Sequence, residues 1–182
     1  MAGLTQAAKR ELLRIARSSV EEALRGHRSR LPKPQNPALL QLHGAFVTLR
    51  VGGALRGCIG TLRASEPLYQ TVAKMARAAA FEDPRFPPLN KEEYGEIELE
   101  ISVLTPLERL DDPGRIEVGR HGLYITRGHF GGVLLPQVAT EQGWDRVRFL
   151  EETCRKAGLP AGAWKSGADV NVFEAEVFGE ER

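Results

Sequence analysis

The chain has 182 residues, of which 42% are hydrophobic and 27% are charged, and its formal net charge is +1. This length predicts one large domain or two small interlocked ones, and the low net charge excludes a global field that attracts nucleic acid or membranes. No apolar run approaches the roughly 20 residues of a membrane span. The first twenty residues carry charges throughout, so we interpret them as part of the fold and not as a signal peptide.

Residues 4–25 predict an amphipathic helix, because apolar side chains recur there at spacings of three and four. Thr5 can cap its start, and Gly26 can close its end. Residues 1–33 also hold eight basic against three acidic side chains. This excess indicates either a solvated helix face beside a basic linker or a weak patch for an anionic partner.

The next segment predicts a connector followed by a β-hairpin. Three prolines within 31–40 exclude regular structure there. Residues 44–51 and 54–62 are strand-like, and the paired glycines between them are a turn signal. The second strand carries the sequence RGCIG, residues 56–60, in which two glycines interrupt an otherwise apolar strand.

A helix and a strand are predicted after the hairpin. We expect the helix to span 65–80, with Ser65 as its cap and Pro67 tolerated in its first turn. Residues 95–106 predict a strand with one face in the core, because apolar side chains alternate with glutamates. The expected core-facing residues are Ile97, Leu99, Ile101 and Val103.

The last part of the chain predicts short strands and one firm helix. In order, we expect a turn at 111–114, strands at 115–118, 122–127 and 131–135, a helical turn at 137–141, a helix over 144–157 and a strand over 170–178. The helix has a stripe that we expect to be buried: Trp144, Val147, Leu150, Cys154 and Ala157. Short connections and hairpins favour an α+β fold, with an antiparallel or mixed β-sheet flanked by helices.

The two cysteines have different settings. Their wide separation indicates a reducing compartment without a disulfide framework, and we expect a cytoplasmic location. Cys154 lies on a helix stripe, which predicts a small core side chain. Cys58 lies between Gly57 and Gly60, which permit a ligand or another chain to approach the backbone closely. The alternative is a β-bulge with a buried, inert thiol.

A reactive Cys58 would need a cation and a base. Arg56 is two residues away, so both side chains share a face if the strand is regular, and a cation near a thiol raises its thiolate fraction. His121, at the start of a strand, is the histidine best placed to enter a cleft and act as the base. The other histidines lie past a helix end, before a strand and at a hairpin tip: His27, His43 and His129.

Other ligand chemistries have weaker signals in the sequence. It contains no Cys-x-x-Cys, His-Glu-x-x-His or phosphate-loop motif, so we predict no metal site and no cofactor. The backbone amides of RGCIG could form an anion nest beside Arg56. Asp83 and Arg85 are expected to pair or cap locally. Aromatic residues are not interleaved with basic ones, so nucleic acid is not an expected partner.

Several segments, taken in order, resemble those of AMMECR-type proteins. They are LRGCIGTL, AAAFEDPRFPPL, LEISVLTP, GRHGLYI, GVLLPQVA and WDRVRFLEETCRKAGL, and together they span about residue 5 to residue 178. The resemblance implies one α+β domain over 1–182 with two subdomains. We expect the larger at 1–62 with 107–182, and a smaller helix-and-strand subdomain at 63–106.

The resemblance also implies partners, because prokaryotic members, called AmmeMemoRadiSam system protein A, often occur with a Memo-type protein and a radical SAM protein. The resemblance does not imply an established biochemical activity. We expect a substrate-binding or catalytic subunit acting on a small molecule, with Cys58 and His121 as catalytic candidates. The substrate-binding candidates are Arg56, Gly57, Gly60 and Gln137. The alternatives are a non-enzymatic interaction module and a weak nucleic-acid-associated factor.

Overall fold

The computed structural model describes residues 3–27 and 30–180. They form two compact units: unit 1 contains the residues up to Leu104 together with those from Glu176 onward, and unit 2 is Thr105–Ala175. Within these described ranges, no helix is both long enough and apolar enough to cross a membrane.

Unit 1 combines helices with an antiparallel sheet. In chain order its elements are α1 (Gln6–Leu24), β1 (Ala45–Val51), β2 (Ala54–Thr61), α2 (Leu68–Phe81), α3 (Lys91–Tyr94) and β3 (Ile97–Leu104). β1 pairs antiparallel with both β2 and β3, so β2 lies at the edge of the sheet. α1 packs on α2 and β3, while α2 packs on β1 and β2, and together they bury one continuous apolar cluster.

Local sequence signals define α1 and the hairpin as predicted. The side chain of Thr5 accepts the backbone N–H of Ala8 at 3.3 Å, and Gly26 follows the helix with a φ of 72°. Gly52 and Gly53 have φ values of 56° and 80°. A two-residue type I′ turn requires positive φ at both positions, and glycine adopts it without steric cost.

Two predictions in unit 1 are wrong in detail. The connector contains a short 3₁₀ helix, Pro37–Leu40, because an asparagine caps it and proline is tolerated at its first position. α2 begins at Leu68 and has no cap at Ser65. The reason is that Pro67 forms a β-bridge with Leu42, which keeps the chain extended just before the helix.

β3 confirms the predicted core face. The four core-facing residues are buried as expected: Ile97, Leu99, Ile101 and Val103. Because β3 pairs with β1, and α2 packs on β1 and β2, the segment expected to form the smaller subdomain, 63–106, lies almost entirely in unit 1. The two compact units therefore differ from the predicted subdomains. The larger subdomain was expected at 1–62 with 107–182, and the smaller at 63–106.

Unit 2 has its own group of paired strands and its own apolar cluster. Its elements are β4 (Glu108–Arg109), β5 (His121–Arg127), β6 (Phe130–Leu134), α4 (Pro136–Glu141), α5 (Arg146–Lys156) and β7 (Asp169–Gly179), whose last residues belong to unit 1. β5 pairs antiparallel with β6 and β7, and β4 pairs antiparallel with β7. α5 packs on β5 and β6. The predicted α+β class is confirmed.

Two predictions in unit 2 are also wrong in detail. Residues 115–118 are not a strand, because a 3₁₀ turn at Pro113–Arg115 leads into an irregular segment. α5 begins only after Asp145, whose side chain accepts a backbone N–H of the first turn at 2.7 Å. Val147 lies in that turn and is exposed, whereas the predicted stripe is buried from Leu150 onward.

Candidate functional site

The RGCIG segment lies on β2 and is irregular at Arg56. The pairing of β1 with β2 shifts by one residue between Leu49 and Arg50. Arg56 is therefore the extra residue of a β-bulge, which interrupts the two-residue alternation of side chains. The predicted shared face of Arg56 and Cys58 depended on a regular strand, and that condition is not met.

Arg56 is buried and held by a carboxylate. Its Nε and Nη2 donate to the two oxygens of Glu93 at 2.8 and 2.9 Å, and its guanidinium lies 5.9 Å from the ring centroid of Phe86. The hydrogen bond with Glu93 raises the pKa of Arg56, and the same bond lowers the pKa of Glu93. Only 8% of Arg56 is exposed, and its Nη1 has no partner among the described residues.

Cys58 is half-buried and is contacted at its backbone N–H, its backbone carbonyl and its thiol. Its N–H donates to Oδ2 of Asp83 at 2.9 Å, and its carbonyl accepts from Nη2 of Arg85 at 3.2 Å. The hydroxyl of Thr48, its neighbour on β1, donates to Sγ at 3.3 Å. The thiol is therefore positioned by β1, and its backbone by the segment after α2.

The expected pairing of Asp83 with Arg85 is confirmed. Nε and Nη2 of Arg85 donate to the Asp83 carboxylate at 2.9 and 2.7 Å. Asp83 is 4% exposed, and its hydrogen bond with Arg85 holds the pKa of this carboxyl far below its usual value. Arg85 also lies 5.5 Å from the ring centroid of Phe86, and 54% of its side chain is exposed. It is the solvent-facing cation beside Cys58.

The two glycines of RGCIG pack against other parts of unit 1. A Cβ at Gly57 would lie 2.1 Å from the carbonyl oxygen of Ala79 in α2. A Cβ at Gly60 would lie 2.2 Å from the ring of Phe46 in β1. The space gained by having no side chain at these positions is thus filled by a helix backbone and by an aromatic ring.

His121 and Gln137, the candidates from the second half of the chain, belong to unit 2, whereas Cys58 belongs to unit 1. Nδ1 of His121 accepts the backbone N–H of Glu117 at 3.1 Å, which leaves the proton of the neutral ring on Nε2. Gln137 lies in the first turn of α4, and its Oε1 is buried without a partner among the described residues. The convergence of these two residues with Cys58 stays a prediction.

The other cysteine and the other histidines were not candidate site residues. Cys154 is fully buried as predicted, and burial raises the pKa of its thiol. His27 and His129 are exposed. Nδ1 of His43 lies 3.1 Å from the carbonyl oxygen of Leu104. Within residues 3–27 and 30–180, no group of three or more His, Cys, Asp or Glu side chains could hold a metal ion.

Part of the positive charge in the first 33 residues is neutralised by ion pairs within the fold. Three of these cations form ion pairs at 2.5–2.8 Å: Lys9 with Glu176, Arg17 with Glu180, and Arg25 with Glu21. The pKa of Arg17 is raised by its hydrogen bond with Glu180. This pairing reduces the charge available for an anionic partner at this surface.

Three residues of the site were not predicted from the sequence. Thr48, Phe86 and Glu93 reach the RGCIG strand from a neighbouring strand, a proline-rich segment and a short helix. Glu93 could have been found as the glutamate of the capping box that begins at Asn90. No signal in the sequence indicated that Glu93 would contact Arg56, which lies 37 residues earlier.

A family model described as AMMECR1 matches residues 13–178. A protein of Methanothermobacter thermautotrophicus is 46% identical over 180 residues, with 94% of each chain covered. PF1979 of Pyrococcus furiosus is 46% identical over 182 residues, covering 93% of this chain and 87% of that protein. The crystal structure of uncharacterized protein PH0010 from Pyrococcus horikoshii matches with a TM-score of 0.89 and 44% identity, covering 94% of this chain and 90% of that one. The chain belongs to the AMMECR1 family.

Proposed function

We propose that the protein is a substrate-binding or catalytic subunit with a site centred on Cys58, and that it works with Memo-type and radical SAM proteins. The observation that carries the proposal is the setting of the thiol. Cys58 is half-buried, with the Thr48 hydroxyl at Sγ and the Arg85 guanidinium at its carbonyl. Reactive cysteines typically lie in partly exposed surroundings near cations, whereas inert ones are buried in apolar surroundings, as Cys154 is.

The cations of the site suggest the chemistry of its substrate. Guanidinium groups bind carboxylates and phosphates in a fixed, two-pronged geometry. Arg56 was the predicted anion-binding residue, but Glu93 occupies its Nε and Nη2, and its Nη1 is buried. Asp83 occupies Nε and Nη2 of Arg85 in the same way, but 54% of the Arg85 side chain is exposed, so we assign the anion contact to Nη1 of Arg85. Cys58 serves as a nucleophile, a redox thiol or a ligand contact.

His121 and Gln137 enter this proposal as contributors from unit 2. If His121 acts as the base for Cys58, its replacement should slow the reaction of the thiol. Gln137 would supply its unpartnered Oε1 as an acceptor.

The test is the rate at which iodoacetamide alkylates each cysteine of the native protein, followed by mass spectrometry across a pH series. We expect Cys58 to be modified in the folded protein and Cys154 only after unfolding, because Cys154 is buried. Arg85→Ala and His121→Ala should each slow the modification of Cys58, while Arg148→Ala on α5 serves as a control. A Cys58 that reacts as slowly as Cys154 would contradict the catalytic version.

A non-enzymatic interaction module is the second candidate, and the position of β2 favours it. β2 is the edge strand of its sheet, and such edges accept strands from other chains where their backbone groups are unpaired. At Cys58 both backbone groups are already bound by Asp83 and Arg85, so a partner strand would pair with the rest of β2. In this case, co-purification with the Memo-type and radical SAM partners should be lost in Arg56→Ala and kept in Cys58→Ser. Slow alkylation of Cys58 together with that pattern would select the module over the enzyme.

A further inference from the structure

β6, which lies in unit 2, is an edge strand. It spans Phe130–Leu134 and pairs with β5 on one side, and no other strand among residues 3–27 and 30–180 pairs with it. Exposed edge strands can bind a strand of another chain, and proteins usually protect them with charged side chains, prolines or β-bulges. The sequence of β6, FGGVL, contains no charged residue and no proline, and its residues pair with β5 in continuous register. β6 therefore lacks these protections.

Hydrogen bonds of β7 show which of its backbone groups face β5. β7 pairs with β4 on one side and with β5 on the other. The carbonyl of Val170 accepts the N–H of Leu110, beside β4, at 2.8 Å. In an antiparallel sheet the backbone groups of successive residues point to opposite sides, so those of Asn171 face Tyr124, its partner on β5. The side-chain amide of Asn171 also donates to the carbonyl of Tyr124 at 3.4 Å, so this carbonyl faces β7.

The same alternation gives the direction of the backbone groups of β6. Because those of Tyr124 face β7, those of the next residue, Ile125, face β6 and its partner there, Gly132. The N–H and C=O groups of Gly131 and Val133, on either side of Gly132, therefore point to the open edge. No other group of the described chain binds them. The edge thus presents two hydrogen-bond donors and two acceptors.

The open edge is accessible and carries apolar surface. Phe130, the first residue of β6, is 59% exposed, which is the largest value for a large hydrophobic residue in the described ranges. Gly131 is also exposed. A Cβ at Gly132 would lie 2.4 Å from the backbone N of Ala157, so the end of α5 packs closely on the strand. This packing holds β6 in place, and its edge is ready to accept another strand.

We propose that β6 pairs antiparallel with β6 of a second copy of this chain and forms a symmetric dimer. The unpaired groups of the edge are self-complementary about Gly132. With Gly132 on the two-fold axis, Gly131 lies opposite Val133 of the second copy, and each such pair exchanges two hydrogen bonds. All the unpaired groups of both strands are then used. Glycine at the axis also leaves no side chains to collide at the central pair, where opposite Cα atoms lie about 4.5 Å apart.

The side chains near the edge are compatible with this pairing. Phe130 lies opposite Leu134 of the second copy, so an apolar pair flanks the axis on each side. Like charges opposite each other destabilise paired strands, and β6 has no charged residue. Four charged residues of α5, the helix that packs on β6, pair with each other and add no net charge: Arg148, Glu151, Glu152 and Arg155. The inference goes beyond the proposed function, because it uses neither Cys58 nor β2.

The test is the oligomeric state of the full chain, measured by sedimentation velocity from about 5 µM to about 1 mM, because two short strands make a small interface and a reversible dimer. Val133→Pro removes an outward N–H, and proline is tolerated on the open side of an edge strand. This variant should weaken dimerisation about tenfold or more. Phe130→Ser should also weaken it. Leu42→Ser is the matched control, because Leu42 lies in unit 1 and is 55% exposed, and it should leave dimerisation unchanged.

Amide hydrogen exchange of the wild type tests the pairing even if Val133→Pro does not fold. The N–H groups of Gly131 and Val133 should exchange rapidly at about 20 µM and become protected at about 1 mM, where the dimer forms. The N–H of Gly132 faces β5 and should be protected at both concentrations. Gly60, on the edge strand β2, is the control and should exchange at the same rate at both.

Three outcomes would overturn the proposal. The first is a wild type that stays monomeric up to about 1 mM. The second is a Leu42→Ser variant that weakens the dimer as much as Phe130→Ser does. The third is a dimer in which Gly131 and Val133 gain no protection, and protection of Gly60 in that dimer would show that β2 is the edge that pairs.

Discussion

The carboxylate of Asp83 accepts the backbone N–H of Cys58 at 2.9 Å, across 25 residues of sequence. Arg85, which is paired with the same carboxylate, donates to the carbonyl of Cys58. Both contacts lie on an edge strand, where backbone groups otherwise lack a partner. The Asp83–Arg85 pair thus satisfies the edge of β2 at Cys58 in the way that a neighbouring strand would.

Replacing Asp83 should destabilise the protein in a pH-dependent way. Asp83→Asn removes a buried charge that Arg85 and the Cys58 N–H satisfy, and we expect the free energy of unfolding at pH 7 to fall by about 2–4 kcal/mol. The pKa of Asp83 is lowered in the folded protein, so its contribution is complete above its ordinary pKa of 3.8 and is lost as the pH falls below that value. Urea denaturation at pH 7 and between pH 2 and 4 measures both effects.

The matched control for this experiment is Asp111→Asn, because the side chain of Asp111 is 91% exposed. That variant should change stability by less than about 0.5 kcal/mol at either pH. The difference in the free energy of unfolding between the wild type and Asp83→Asn should become smaller as the pH is lowered. A constant difference across the pH range would show that the Asp83 charge is not what stabilises the fold.

Gly57→Ala should disrupt the packing of α2 on β2. The added Cβ would lie 2.1 Å from the carbonyl oxygen of Ala79, and a helix backbone cannot yield as a flexible side chain can. We expect a loss of about 3 kcal/mol in the free energy of unfolding. Gly95→Ala is the control, because its Cβ would meet no atom within 4 Å and its φ is −68°. Equal stability of the two variants in thermal unfolding would refute this account of Gly57.

Glu93→Ala should leave the buried guanidinium of Arg56 without its carboxylate. Because Arg56 is 8% exposed, we expect a loss of about 2–3 kcal/mol in the free energy of unfolding, measured by urea denaturation. Glu92→Ala, an exposed neighbour on α3, should cost less than about 0.5 kcal/mol. Replacing Arg56 with methionine in the Glu93→Ala background should recover part of the loss. No recovery would mean that the unpaired charge is not the cause.

Periodicity and turn chemistry predicted most elements of the fold correctly. α1, the hairpin and β3 follow local rules: a threonine cap, paired glycines with positive φ, and strict alternation of apolar residues. The errors had two causes: a contact distant in sequence, and a local turn that the pattern of apolar residues did not reveal. Pro67 delays α2 because it pairs with Leu42, whereas the 3₁₀ turn at Pro113–Arg115 leads into an irregular segment where a strand was predicted at 115–118.

The sequence by itself determined the α+β class, the hairpin that carries RGCIG, and the resemblance to the family. It also predicted a local pair between Asp83 and Arg85, because they are only two positions apart in the chain. Tertiary structure alone decided that Arg56 is a bulge residue bound to Glu93 and that Ala79 fills the space at Gly57. Such contacts join elements tens of residues apart, and no periodicity within one element encodes which residue of another element will face it.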